Sequence, residues 1–277
     1  FFLKLSSFQD RLLAWVSEQS HWRPNVLHFT RNYVAEGLRD RAITRVIQWG
    51  VPVPVPGYEG KRIYVWFDAV VGYLAASKEW AQRSGDPDAW HRFWQDSQAR
   101  SYYFIGKDNI PFHTIIWPAM LMGKGSLNLP YDVPANEFLN VAGRQLSTSR
   151  NWAVWVPDYL ERYPPDPLRY FLSAAMPETS DSDFSWHEFV RRNNDELVAT
   201  YGNLVHRVLT IVHRNFEGHV PPFTEDRSET LVHQQLRTQA ETALVNVGES
   251  IGKCHFREAL GHAMGLAAEV NRYLDRR

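Results

Sequence analysis

A single cysteine, Cys254, in 277 residues excludes an internal disulfide and a cysteine-cluster zinc site. No apolar run approaches the roughly 20 residues needed to span a bilayer. The expectation is therefore a cytoplasmic protein with no membrane partner. Neither sign of charge is in excess, since 30 Lys and Arg against 31 Asp and Glu leave a net charge of -1. Nucleic acid is thus not attracted globally, which argues against a histone-like or ribosomal role. Any RNA contact must come from local basic patches, and no DNA partner is expected. There is no GxGxxG or GKS/GKT loop to support an unrelated nucleotide-binding fold. An initiator Met and a targeting leader are also missing: the chain opens on Phe1-Phe2-Leu3 and stops at Asp275-Arg276-Arg277, after an apolar helical repeat. Both ends read as cut, and an internal fragment is expected.

What is present fits a soluble globular protein: 44% hydrophobic and 22% charged residues, in a length that allows one large domain or two of ordinary size. Aromatics are abundant at 14%, with 11 Trp, and such side chains fill cores and flat pockets.

Phe8, Leu12, Leu13, Trp15 and Val16 mark an amphipathic helix over 6–20, opened by Ser7 with Asp10 three residues on. Residues 28–50 mix helical and extended signals. Val51-Pro52-Val53-Pro54-Val55-Pro56-Gly57 cannot be helical and reads as an extended connector and domain boundary. Beyond it, Arg62–Phe67 reads as a buried strand, with a helix through Tyr73-Leu74-Ala75-Ala76. Ser101–Gly106 reads as a second strand, with a helix from about Asn109 to Leu121, and Glu137–Val141 as a third. Alternating strands and helices predict a parallel sheet with crossovers, whose strand carboxyl ends would carry Asp68, Gly106 and Asp108.

From residue 186 the period becomes helical. Ser185 and Glu188 have capping-box spacing, followed by Val190, Leu197, Tyr201, Leu204, Val208 and Val212. Further repeats are Leu236, Ala240, Ala243, Val247, Ile251 and then Phe256, Leu260, Ala263, Ala267, Val270, Leu274. Three amphipathic helices without strands predict a bundle that continues past the end.

Four stretches stand out in order: Tyr64-Val65-Trp66-Phe67-Asp68-Ala69; Phe104-Ile105-Gly106-Lys107-Asp108 with Phe112-His113 and Trp117-Pro118-Ala119; Leu146-Ser147-Thr148-Ser149-Arg150; and Asp166-Pro167-Leu168-Arg169-Tyr170. In that order and spacing they resemble the class I methionyl-tRNA synthetases, over nearly the whole chain. The resemblance implies activation of methionine by ATP, with Mg2+, to methionyl-adenylate, and transfer to the 3′ end of tRNA(Met). It implies that Trp66, Ala69, Tyr73, His113 and Trp117 line the methionine pocket. A thioether offers no strong hydrogen bond, so shape and sulfur–aromatic contact must recognise it. The plain alternative is that these aromatics are core; His113 and Trp117 share a helix face under either reading. At a strand's carboxyl end, Gly106 and Asp108 are implied to meet the nucleotide, with Asp108 accepting from ribose hydroxyls. Alternatively, Asp108 only caps the following helix.

The family's signature loop, usually written KMSKS, corresponds to Gln145, Leu146, Ser147, Thr148 and Ser149, and both lysines are absent. A Thr at the second lysine resembles a variant found in part of the family; Gln145 is a further departure. Arg144 and Arg150 flank the loop as substitute cations for the ATP phosphates, while Ser147 and Ser149 can donate hydrogen bonds. The other possibility is a loop that has lost catalysis.

Gly202-Asn203-Leu204-Val205-His206-Arg207 resembles the family's anticodon-reading helix. Asn203 and Arg207, one turn apart, could bond unstacked bases, or form a solvated polar face. Arg169, Arg191 and Arg192 are candidate phosphate contacts or ordinary surface cations. The HIGH motif is missing, and the zinc knuckle of the inserted domain would also lie upstream, so no residue here is named as a metal ligand.

The expected fold class is α/β followed by all-α: the second half of a class I synthetase Rossmann-like sheet, a stem-contact region, and a helical anticodon-binding bundle. The expected divisions are 1–57 (end of the inserted connective domain and connector), 58–143 (catalytic domain), 144–185 (KMSKS-like loop and stem contact) and 186–277 (incomplete anticodon-binding domain). Synthetases for leucine, isoleucine or valine fit the Trp66 and His113–Trp117 pattern less well. A non-catalytic paralogue that binds tRNA or an amino acid is the alternative to a ligase.

Overall fold

The structure, a computed structural model, describes residues 1–222 and 231–276. The chain divides into two compact units, Phe1–Glu137 and Phe138–Arg277.

In the first unit, β1 (Phe2–Leu3) pairs antiparallel with β2 (Arg41–Ala42). A 3-10 turn over Leu5–Phe8 runs into α1 (Gln9–Ser17), whose Leu12 and Val16 are fully buried. Ser7 does not cap this helix as its spacing suggested. Its hydroxyl donates instead to the Lys4 carbonyl at 2.7 Å, because the preceding turn already occupies that end. α2 (Pro24–Ala35) starts with Pro24, whose fixed φ and missing N–H suit a first helical turn. β3 (Thr44–Arg45) pairs with β4 (Arg62–Ile63). The proline-rich 51–57 segment between them is not helical; it is extended only at its start, with Pro52 bridged to Arg62 and Val53 buried, and turns over 55–57, where the Tyr58 N–H donates to the Val55 carbonyl at 3.1 Å.

The strand expected over Arg62–Phe67 ends at Ile63. Tyr64 is extended, and α3 (Val65–Arg83) begins at once. A short apolar run cannot by itself separate strand from buried helix. Phe67 and Val70 turn inward three residues apart, with Leu74 packing beside them, which is helical spacing. Asp68 is therefore in the first turn of a helix, not at a strand end.

After α4 (His91–Trp94), β5 (Ile105–Gly106) runs parallel to β6 (Ala135–Asn136), so the expected crossover is present in short form. Its connection is not one α-helix from Asn109 to Leu121. A 3-10 turn covers Lys107–Asn109, a π-helical turn covers Phe112–Ile116, and α5 covers Trp117–Lys124. Pro118 accounts for the wide turn: it has no N–H for the Thr114 carbonyl and its ring crowds that carbonyl. The N–H of Trp117 accordingly reaches five residues back to Phe112. Trp22, Val26, Val70, Trp94, Tyr103, Trp117, Leu121 and Val133 form the main core here.

The expected third strand, Glu137–Val141, is split between the units. In the second unit, β7 (Leu139–Val141) pairs antiparallel with β8 (Arg144–Gln145) and parallel with β9 (Ser182–Phe184). Ala142 and Gly143, both at positive φ (50° and 74°), make the two-residue hairpin turn between β7 and β8. α6 (Val156–Leu160) and α7 (Pro165–Ala174) pack with Phe184 and Phe189 through Tyr159, Leu168 and Phe171.

The helical region starts as its capping spacing predicted: the Glu188 N–H donates to Ser185 Oγ at 3.2 Å. α8 (Trp186–Arg192), a π-helical stretch over Asn193–Gly202 and α9 (Asn203–Phe216) follow without a break. α10 (Leu231–Gly252) and α11 (Phe256–Asp275) complete the bundle, and α11 packs against α7, α9, α10 and the π-helical stretch. The chain is thus α/β followed by all-α.

Candidate functional site

The densest aromatic constellation of the first unit surrounds His113. The wide turn of 112–116 and the helix after it place His113 and Trp117 on one side, against α3. Tyr73, two turns beyond Trp66, meets them there. The Tyr73 hydroxyl is 2.9 Å from His113 Nε2, and His113 Nδ1 is 2.9 Å from the Asn109 carbonyl. A carbonyl can only accept, so Nδ1 carries the proton and Nε2 accepts from Tyr73. Burial lowers the His113 pKa and raises that of Tyr73, which keeps both groups neutral at pH 7. Tyr103 completes the cluster: its ring lies 5.2 Å from Tyr73 and 5.7 Å from His113, and its hydroxyl accepts from Trp117 Nε1 at 3.0 Å.

Trp117 is buried and also meets Trp94 edge-on at 5.9 Å, so it belongs to the core while walling the cluster. Trp66 is 39% exposed and stacks on Phe112, the neighbour of His113, at 5.0 Å. Ala69 is exposed on the same face of α3, between Trp66 and Tyr73. Tyr103 and Phe112 were not foreseen. Period-two alternation could have found Tyr103, since Tyr102 and Phe104 on either side are exposed.

Gly106 ends β5, and Asp108 is exposed in the 3-10 turn directly after it. Beside it, Lys107 Nζ lies 2.7 Å from Glu137 Oε2.

In the second unit the KMSKS-like segment is a tight hairpin. Ser147 and Trp152 exchange both backbone hydrogen bonds, at 3.0 and 2.9 Å. The Ser147 and Ser149 hydroxyls are 3.2 Å apart, and the Arg150 N–H donates to Ser147 Oγ at 3.3 Å. The Arg144 guanidinium stacks over Trp152 at 5.1 Å, and Trp152 Nε1 donates to the Val141 carbonyl at 3.0 Å. Gln145, Leu146, Thr148, Ser149 and Arg150 are exposed. The loop thus has a braced base and an open tip carrying a cation on each side.

Asn203 and Arg207 share a helix face, as their spacing required, and that face meets α11. Asn203 Nδ2 donates to Asn271 Oδ1 at 3.2 Å. Arg207 donates to the Asn271 carbonyl at 3.3 Å and pairs with Asp275 at 2.8 Å. Arg191 and Arg192 are held by Glu188, whose carboxyl these arginines, Arg191 first, pull down to about 2. Arg169 pairs with Asp166 at 3.2 Å.

A family model described as "tRNA synthetases class I (M)" matches residues 1–209. The chain belongs to this family. Among curated relatives of these class I (M) synthetases, the methionine–tRNA ligase of Dehalococcoides mccartyi strain CBDB1 is 61% identical over 275 residues, covering 99% of this chain and 49% of the relative. That of Thermomicrobium roseum is 56% identical over 277 residues, covering 99% and 47%. The chain therefore spans about half the length of the curated relatives it matches. A Mycobacterium tuberculosis methionyl-tRNA synthetase bound by methionyl-adenylate superposes with a TM-score of 0.83 at 29% identity, covering 99% of this chain and 52% of that one. Its apo form gives 0.80 at 30% identity, over 99% and 51%.

Set in the class I (M) family, the α/β part and the bundle are the second half of a class I synthetase. Among the described residues no group of three or more His, Cys, Asp or Glu could hold a metal ion. Nor is any helix among them long and apolar enough to cross a membrane.

Proposed function

We propose that the whole protein is a cytoplasmic methionine–tRNA ligase, which joins methionine to ATP as methionyl-adenylate and passes the methionyl group to the 3′ end of tRNA(Met). The observation that carries the reading is the ring cluster of Tyr73, Tyr103, His113 and Trp117 around one neutral imidazole. Polarizable rings with few polar atoms suit a thioether, and binding rests on fit. Trp66 and Ala69 extend the wall along α3. Gly106 and Asp108 serve the adenosine ribose, with Asp108 accepting hydrogen bonds from its hydroxyls.

ATP arrives as its Mg2+ complex, a substrate. As the α-phosphate is attacked, charge accumulates on the leaving pyrophosphate, and donors aimed at that charge lower the barrier. In this chain the donors are Arg144, Arg150, Ser147, Thr148 and Ser149, with Gln145 and Leu146 in the same strand and turn. The two arginines take the place of the family's lysines. In the bundle, Asn203 and Arg207 read the anticodon, and the functional divisions are those set out from the sequence.

The test is methionine-dependent exchange of pyrophosphate into ATP by the full-length protein, and methionylation of tRNA(Met). Exchange with methionine, and little with leucine, isoleucine or valine, is expected. A full-length protein that bound tRNA but exchanged no pyrophosphate would overturn the ligase reading in favour of a binding paralogue.

A further inference from the structure

The turn that carries Asp108 has little of its own to hold it. It is a three-residue 3-10 turn closed by one backbone bond, from the Ile110 N–H to the Lys107 carbonyl, and Gly106 before it supplies no side-chain cap. Such turns are loose unless something outside fixes them. Here the sheet register supplies the fixture. Gly106 is paired with Asn136 in parallel β5 and β6, so the next residues, Lys107 and Glu137, leave the strands side by side. Their side chains close at 2.7 Å, with only 27% and 15% of each exposed.

Glu137 is held from the other side as well. Asn25 Nδ2, in the first turn of α2, donates to Glu137 Oε1 at 2.8 Å. Arg23 grips the preceding residue, donating to Asn136 Oδ1 at 2.9 Å. Both carboxylate oxygens are thus engaged, one by the turn and one by a helix rooted in the main core through Val26. Glu137 links the turn to α2 as a strut.

We infer that Glu137 is a positioning residue for the nucleotide subsite, its ion pair with Lys107 holding the turn that presents Asp108 to the ribose. This rests on the proposed reading of Asp108. The pair acts mainly on ATP: the ring cluster has its own supports in α3, α5 and Tyr103, and His113 is tied to this turn through the Asn109 carbonyl, at the end of the turn away from Lys107.

The experiment is methionine-dependent pyrophosphate exchange by the full-length protein, comparing wild type with Glu137→Gln and Glu137→Asp. Gln keeps size and an acceptor for Asn25 but removes the charge that holds Lys107. The expected result is a KM for ATP raised about tenfold, the scale of one charge-assisted hydrogen bond, with the KM for methionine within about twofold of wild type. Glu137→Asp keeps the charge and should recover most of that loss. If Glu137→Gln fails to fold, Glu137→Asp carries the test alone through a smaller rise confined to ATP. Equal rises in both KM values, or an unchanged KM for ATP in a folded variant, would overturn the proposal. A wild-type protein without exchange overturns the functional reading, and this inference with it. An exchanging wild type whose variants show no ATP-specific rise overturns the inference alone.

Discussion

The Tyr73 hydroxyl donates to His113 Nε2 at 2.9 Å, and the imidazole can accept only because its other nitrogen is committed to the Asn109 carbonyl. Protonation would turn Nε2 into a donor and place a cation among rings, which burial opposes. This fixes the sign of a pH effect. The folded His113 pKa lies below the 6.5 of an unfolded chain, so between the two values the unfolded state binds more protons and stability rises with pH. The contribution is fully present above about 6.5 and is lost as pH falls through the folded value. Thermal unfolding from pH 8 to 5 should show Tm falling more steeply in wild type than in His113→Gln. Parallel curves would mean that His113 is not the group responsible.

Trp66 and Trp117 come from two similar motifs but have different surroundings, so their alanine variants should part. Trp117 is buried against Trp94 and Tyr103, and its truncation should cost about 3–5 kcal/mol of stability. Trp66 is 39% exposed and stacks on Phe112. Trp66→Ala should leave Tm nearly unchanged and raise the KM for methionine about tenfold, far more than that for ATP, as one aromatic wall is lost. Equal effects on the two KM values would make Trp66 a packing residue only.

Much of this was legible from residue order. The motif series identified the family, the Ser185–Glu188 spacing found a real cap, and His113 and Trp117 were placed correctly on one face. What was illegible follows from local competition. Val65-Trp66-Phe67 has strand composition, yet it forms the first turn of α3, since its inward positions continue at helical spacing through Val70. The stretch from about Asn109 to Leu121 read as one α-helix because Pro118 acts on residues before it, and the widened turn it causes over Phe112–Ile116 has no composition signal. Tyr103 was hidden inside a run read only as a second strand, with no face assigned to it, although its neighbours Tyr102 and Phe104 face outward. Glu137 was assigned to a strand and its partner Lys107 passed over, because a pair 30 residues apart depends on sheet register.

The lysine-free loop makes a sharp test of cation replacement. Arg144 is oriented by its stack on Trp152, whereas Arg150 is exposed at the tip. If both meet the ATP phosphates, Arg144→Ala and Arg150→Ala should each lower kcat for pyrophosphate exchange by about 10- to 100-fold, with little change in the KM for methionine. Trp152→Leu, which removes the ring beneath Arg144 and the bond to the Val141 carbonyl but no candidate phosphate contact, should give a smaller loss in the same parameter. Full kcat in both arginine variants would remove them from the chemistry.

Arg207 presents the opposite situation, a candidate RNA contact already bound within the protein. Its guanidinium donates to the Asn271 carbonyl and pairs with Asp275, and Asn271 in turn ties Asn203 and, through Nδ2, the Thr200 carbonyl. The arginine is thereby pre-oriented, and a planar guanidinium keeps donors to spare after one ion pair. Arg207→Lys keeps the charge but loses the fork, so it should weaken charging of tRNA(Met), measured as methionyl transfer, about tenfold more than it weakens pyrophosphate exchange. Asn271 is not itself a candidate RNA contact, and Asn271→Ala should reproduce part of that selective loss by freeing Asn203. If instead Asn271→Ala left charging intact while Arg207→Lys reduced it, the arginine would act without the brace. If both variants charged normally, the face shared by Asn203 and Arg207 would be interhelical glue and nothing more.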